Sequence, residues 1–216
     1  MRVCLKRIAP LWIMATIMVG PGAFAHDGVV HENLDEALRH QQETTGNTPG
    51  FPDIKGGDFS LTDHNGNPRS SKSPEGNYQL VFFGYASCKA ICSVALPRMA
   101  AAVDALAERS IEVTPILITV DPERDTIDTM GGALALHHEH MVGLTGSEQE
   151  LQVAYDAFQV EKSLVYEHPE EGPIYAHGSF IYLLGPDGGF KTLIPPIVGP
   201  ERIVEVVASY LKPDNS

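Results

Sequence analysis

The sequence predicts an α/β domain: a central mixed sheet flanked by helices. Three observations carry that prediction. Short apolar or β-branched runs recur along the chain, segments with apolar residues at helical spacing stand between them, and Pro/Gly/Asn/Asp clusters separate the two kinds. Strands that alternate with helices and finish in a hairpin and a helix need a sheet covered on both faces.

The elements follow in order. Asp58-Phe59-Ser60-Leu61-Thr62-Asp63 alternates with period two and runs into His64-Asn65-Gly66-Asn67, which predicts a β-hairpin extension at the N-terminal end of the domain. Tyr78 to Phe83 is an apolar run closed by Gly84, the pattern of a buried strand. Ser93 to Arg109 carries Val94, Met99, Val103 and Leu106 at helical spacing. Pro97 is compatible with that helix only near its first turn, so the helix should begin close to Cys92. Ile111 to Val120 reads as the next strand, and Thr126 to His138 as a helix opened by Asp125 as N-cap, which completes a βαβ unit. Met141 to Leu144 predicts a short strand and Glu148 to Phe158 a helix. Ser179 to Leu184 and Phe190 to Leu193 predict a strand pair joined by Pro186-Asp187-Gly188-Gly189. Pro200 to Leu211 closes the chain as an amphipathic helix with Ile203, Val204, Val207 and Leu211 on one face.

Composition narrows the class. With 216 residues, 43% hydrophobic and 20% charged, the chain is neither disordered, collagenous nor a multi-span membrane protein. Its formal charge is -13. Three of the 15 basic residues precede position 26 and none of the 28 acids does, which leaves 12 against 28, or -16. Such a balance argues against nucleic acid as a partner, because phosphates call for a basic surface.

Arg2, Lys6 and Arg7 precede an uncharged stretch from Ile8 to Ala25 that ends in Ala23-Phe24-Ala25, the plan of a secretory signal peptide over residues 1–25. Cleavage would leave His26 first. The rival expectation is an uncleaved anchor, since the uncharged stretch lies at the lower limit for spanning a bilayer, but Pro10, Pro21 and Gly22 weaken such a helix. Residues 26–57 are polar and end in a Gly/Pro-rich run, which predicts a flexible arm before a domain over 58–216.

Cleavage would also remove Cys4, leaving Cys88 and Cys92 as the whole cysteine inventory. Two cysteines four apart in an oxidising compartment are a disulfide, a metal site or both in turn. Cys88-Lys89-Ala90-Ile91-Cys92 lies where a strand ends and a helix begins, where unpaired N–H groups and the helix dipole favour a thiolate. A disulfide there closes a loop too short to brace the fold strongly, so the pair suits chemistry better than bracing.

The residues around this pair resemble the Sco/SenC family of copper-handling, thioredoxin-like proteins. The resemblance rests on Phe82-Phe83-Gly84-Tyr85-Ala86-Ser87-Cys88 through Cys92, on Thr119-Val120-Asp121-Pro122-Glu123-Arg124-Asp125-Thr126, and on His177-Gly178-Ser179-Phe180-Ile181-Tyr182-Leu183 before Pro186-Asp187-Gly188. It covers roughly Asp58 to Leu211 and implies a thioredoxin-like fold with a copper site made of Cys88, Cys92 and His177. It further implies a periplasmic metallochaperone that delivers Cu(I) or Cu(II) to the binuclear centre of cytochrome c oxidase, or reduces the cysteines of that centre. The implied partners are a copper-receiving oxidase subunit or another copper chaperone, and a thiol reductant, with membrane contact only through a partner or an uncleaved signal. The residue types agree, because two thiolates suit Cu(I) and an added imidazole suits either oxidation state. The alternative on the same fold is a thiol-disulfide oxidoreductase that needs only Cys88 and Cys92. A peroxide-reducing role lacks the Pro-x-x-x-Thr-x-x-Cys pattern before Cys88.

Asp121, Arg124 and Asp125 resemble the family's acidic loop, which implies that they brace the site rather than ligate. For Arg124 and Asp125 the residues alone predict a helix cap and a surface salt bridge. Two departures stand out: Lys89 and Ser93 occupy positions where the family usually carries proline, which predicts a freer loop. His137-His138-x-His140 is expected to complement a helix end rather than bind metal. His26, His31 and His40 place metal-compatible side chains along the arm by residue type alone.

Overall fold

The structure, a computed structural model, describes residues 24–26, 29–31, 56–73, 76–170, 172–178 and 180–211. The chain divides into two units, Met1–Phe51 and Pro52–Ser216. In the first, strands β1 (Phe24–His26) and β2 (Val29–His31) pair antiparallel, with His26 opposite Val29. Of the expected signal peptide and arm, residues 1–23, 27–28 and 32–55, His40 among them, lie outside the described residues.

In the second unit, β3 (Ser60–Asp63) and β4 (Pro68–Ser70) form the expected hairpin extension, followed by β5 (Tyr78–Gly84), helix α1 (Cys92–Ala107), β6 (Val113–Thr119), α2 (Ile127–Ala135), β7 (Val142–Thr145) and α3 (Glu148–Phe158). Then come β8 (Lys162–His168), β9 (Gly172–His177), β10 (Ile181–Leu184), β11 (Phe190–Ile194) and α4 (Pro200–Tyr210). Seven strands make one sheet in the order β11-β10-β5-β6-β7-β3-β4, in which β5, β6 and β7 run parallel and the outer pairings are antiparallel. The fold is thioredoxin-like, with a mixed sheet flanked by helices.

Successive side chains of a strand point to opposite faces. In β5 this divides the core: Phe83 packs against Tyr155 and Phe158 of α3, while Gly84 faces the Cys92 thiol of α1. Leu80 through Phe83 are completely buried, as a central parallel strand covered on both faces requires. The hairpin turn after β3 is held by Asp63, whose Oδ1 accepts from the N–H groups of Asn65 and Asn67, both at 2.9 Å.

Three expectations need correction. Pro97 is the sixth residue of α1, beyond the first turn. The carbonyl it leaves without an N–H partner belongs to Ser93, which is exposed to solvent, so the helix tolerates it. The N-cap of α2 is Thr126 rather than Asp125: the Thr126 N–H donates to Thr129 Oγ1 at 2.9 Å, while the Asp125 carboxylate is drawn elsewhere. Third, β8 and β9 form a separate two-stranded sheet where the sequence suggests no strand. A register shift between Leu164 and Tyr166 breaks the alternation that would have marked it.

Candidate metal centre

The site gathers at the C-terminal ends of the parallel strands. Gly84 is in register with Thr119, and the Val120 N–H donates to the Gly84 carbonyl at 2.7 Å, so the loop after β5 and the loop after β6 emerge side by side. The first loop carries Cys88 and leads into α1, whose first residue is Cys92. A turn closed by the Cys88 N–H on the Tyr85 carbonyl (3.0 Å) aims Cys88 back toward the helix start. Ser93 takes over part of the restraint that a proline would supply there: its hydroxyl donates to the Ala90 carbonyl at 2.6 Å and lies 3.2 Å from that of Lys89.

Gly84 leaves room for the second thiol. A Cβ at that position would stand 2.8 Å from Cys92 Sγ and 3.2 Å from Phe82 Cε1, so the close approach of Cys92 to the strand requires glycine. The third group arrives from the other side: His177 is the last residue of β9, 85 residues beyond Cys92 along the chain yet adjacent to both cysteines in space. Its Nδ1 lies 2.9 Å from the Gly178 carbonyl, which can only accept, so Nδ1 carries a proton and Nε2 is turned to the sulfurs, 4.0 Å from Cys92 Sγ. Phe82 and Tyr85 meet the imidazole ring edge to face, with centroids 6.1 and 6.2 Å away.

Ligand atoms of Cys88, Cys92 and His177 lie within 4.8 Å of one another, and among the described residues this is the one such group of three. A three-coordinate ion with metal–sulfur bonds of about 2.3 Å holds its two sulfurs about 4.0 Å apart, so the cluster needs a closure of about an ångström at most to hold a single soft cation. Both cysteines are free thiols and buried. A hydrogen bond from the Cys92 thiol pulls Cys88 well below the ordinary thiol range against the opposing effect of burial; the N–H groups of Cys92 and Ala90 act in the same direction. Donation to Cys88, together with burial, pushes Cys92 upward, so the reduced pair keeps its remaining proton on Cys92. Burial, with the Cys88 charge second, pushes the neighbouring Tyr85 phenol up to about 12.

The other histidines are engaged differently. His138 Nδ1 accepts the backbone N–H of His140 at 3.1 Å, so its proton sits on Nε2, which faces Asp104 Oδ1 at 3.1 Å. Tyr85 is a site residue that sequence reasoning passed over, although it lies inside the Phe82 to Cys88 motif.

A thioredoxin-like domain that presents two thiols and an imidazole to one point at its helix N-terminus defines a class of dithiol proteins built to hold a metal ion. The SCO1/SenC family pattern matches residues 47–212, and the chain belongs to that family. It is 36% identical over 152 residues to a SCO2-like protein of Rickettsia felis, covering 69% of this chain and 74% of that one. Among solved structures, Arabidopsis thaliana ScoI with copper bound superimposes with a TM-score of 0.68 at 28% identity, covering 72% of this chain and 97% of the other. Bradyrhizobium japonicum ScoI with copper bound gives a TM-score of 0.65 at 32% identity, covering 72% and 99%.

Proposed function

We propose that the protein is a copper metallochaperone that carries one copper ion on Cys88, Cys92 and His177. The observation that carries this reading is the convergence of the three ligand atoms within 4.8 Å, with the Nε2 of His177 already turned to the sulfurs. Two thiolates suit Cu(I), and the imidazole extends the site to Cu(II). Copper is the cargo; the protein's part is to present the three donors and to shield them on one side with Phe82 and Tyr85. Copper in the two ScoI neighbours supports the choice of metal. The family resemblance points to the binuclear copper centre of cytochrome c oxidase as the destination. The charge and apolar pattern of residues 1–25 supports export to the periplasm, with cleavage before His26.

Anaerobic titration with Cu(I) against a strong chelator tests the reading. Cys88→Ser and Cys92→Ser should each lower affinity by more than about a hundredfold, because each removes a thiolate. His177→Ala should retain Cu(I) within about tenfold but lose Cu(II) and its visible thiolate-to-copper charge-transfer band. Full Cu(II) binding with an unchanged band in His177→Ala would remove His177 from the site. Intact mass of the exported protein tests the location: retention of residues 1–25 counts against cleavage.

A second reading has its own support. Cys88 held as a thiolate beside a protonated Cys92 is the arrangement of an attacking and a resolving thiol. In that role the pair gives two electrons to a partner disulfide, closes as Cys88–Cys92, and is reopened by a dithiol reductant. Full biological activity of His177→Ala would favour it.

A further inference from the structure

The loop between β6 and α2 touches both arms of the site, each through a different residue. On the cysteine side, Asp125 is buried, and its Oδ2 accepts the Ala86 N–H at 2.9 Å and the Thr119 hydroxyl at 2.8 Å. Ala86 stands two residues before Cys88, inside the turn that aims it. On the histidine side, Arg124 pairs through Nε with Asp121 Oδ2 and donates through Nη2 to the Pro173 carbonyl of β9 at 2.6 Å. The guanidinium also lies over the Tyr85 ring at 5.2 Å, and Tyr85 in turn meets Tyr175 and His177 edge to face. Gly172 makes room for it: a Cβ there would stand 3.2 Å from Arg124 Nη1.

This second arm is the one that needs holding. The β8–β9 pair is not part of the seven-stranded sheet, and a lone two-stranded hairpin is marginal in water, so its position depends on a few lateral contacts. His177 ends this hairpin four residues after Pro173. A rigid fork with five donors binds a carboxylate and a carbonyl at once, which a lysine ammonium at the same place does not reproduce. The neighbouring Asp121 is itself buried, so the pair that its Oδ2 makes with Arg124 is shielded from water.

We infer that Arg124 and Asp125 are positioning residues with separate tasks: Arg124 places His177 through Pro173 and Tyr85, and Asp125 places Cys88 through Ala86. The inference rests on the copper reading of the site for its consequence, but its geometry is independent of copper. It gives named contacts to the bracing role that the resemblance implies, and departs from the cap and surface salt bridge that the residues alone suggest: Asp125 does not cap α2, and the Arg124 to Asp121 pair is partly buried.

A double-mutant cycle on the full-length protein separates placement from general destabilisation. Arg124→Ala should weaken Cu(I) binding by up to about tenfold, the lower end of what loss of a residue behind a ligand usually costs, and shift the Cu(II) charge-transfer band. The same substitution in a His177→Ala background, which still binds Cu(I), should change Cu(I) affinity by less than about twofold, since the residue it places is gone. Arg124→Lys should not restore the wild-type band. Asp125→Ala should weaken Cu(I) binding by about tenfold in both backgrounds, and Asp125→Asn, which keeps the acceptor for Ala86, should restore it. Equal losses for Arg124→Ala with and without His177 would overturn the assignment of Arg124. No loss in Asp125→Ala would overturn that of Asp125.

Amide hydrogen exchange on the metal-free protein supplies the arm that needs no copper. Arg124→Ala should speed exchange across β8 and β9 by tenfold or more and leave β5 and β6 unchanged. Unchanged exchange in β9 would overturn the role of Arg124 whatever the copper data show. Failure of the wild type to bind copper would instead overturn the metallochaperone reading, and the exchange rates would still decide what Arg124 holds.

Discussion

The Nε2 of His177 faces the Sγ of Cys92 across 4.0 Å because the other ring nitrogen is committed to the Gly178 carbonyl. The hydrogen bond selects the tautomer before any metal arrives. Nitrogen-15 spectra of the reduced, metal-free protein at alkaline pH should therefore show a neutral His177 ring protonated at Nδ1. A ring protonated at Nε2 would contradict the arrangement.

The two thiols should differ in reactivity. Cys88 is drawn below the ordinary thiol range by the Cys92 hydrogen bond and the helix-start N–H groups, while Cys92 holds the proton. In reduced, metal-free protein near pH 6, iodoacetamide should modify Cys88 at least about tenfold faster than Cys92, because the thiolate is the reacting form. Peptide mapping by mass spectrometry reads the ratio, and equal rates would sink the expectation.

Gly84→Ala should destabilise the fold by about 1–3 kcal/mol, the usual cost of overpacking a filled core. The added methyl meets Cys92 Sγ, Phe82 and Leu117, all of them in the core. Urea unfolding measures the loss. A variant as stable as wild type would mean that the thiol is not seated against the strand end.

Asp63 gives a pH dependence with a definite sign. Burial opposes ionisation, but the N–H groups of Asn67 and Asn65 and the Asn67 side-chain amide outweigh it and hold the carboxyl below its usual range. Its folded-state value is thus the depressed one. The stability it contributes is present above the ordinary carboxylate range and lost as pH falls toward the lower folded value. Asp63→Ala should cost about 1–2 kcal/mol at neutral pH and flatten the acid limb of the stability curve, as seen by thermal unfolding at several pH values.

The fold was legible wherever burial imposed a period. The helix Glu148–Phe158 has the expected bounds, and β5 extends its expected range by one residue, Gly84. The expected Ile111 to Val120 run shortens to Val113–Thr119 once pairing with β5 sets its length. The β8–β9 hairpin left no such trace, because Leu164, Val165 and Tyr166 are exposed and no buried face enforces alternation. Within the site, the cysteines and His177 stood out through residue type and motif. Arg124 was marked only through the resemblance of its loop, since nothing local in Glu123-Arg124-Asp125 announces that its fork reaches a carbonyl 49 positions later.

The separation of His177 from Cys92 along the chain, 85 residues, sets an order of assembly. Everything from α1 through β9 must be made and packed before the imidazole stands beside the thiols, whereas Cys88 and Cys92 are neighbours from the moment of synthesis. An unfinished chain therefore offers an ion two sulfurs and nothing more, and the complete set of donors exists only as a property of the finished tertiary structure. Occupancy of the three-ligand site would report that the domain has folded, which makes the loaded protein its own certificate of quality.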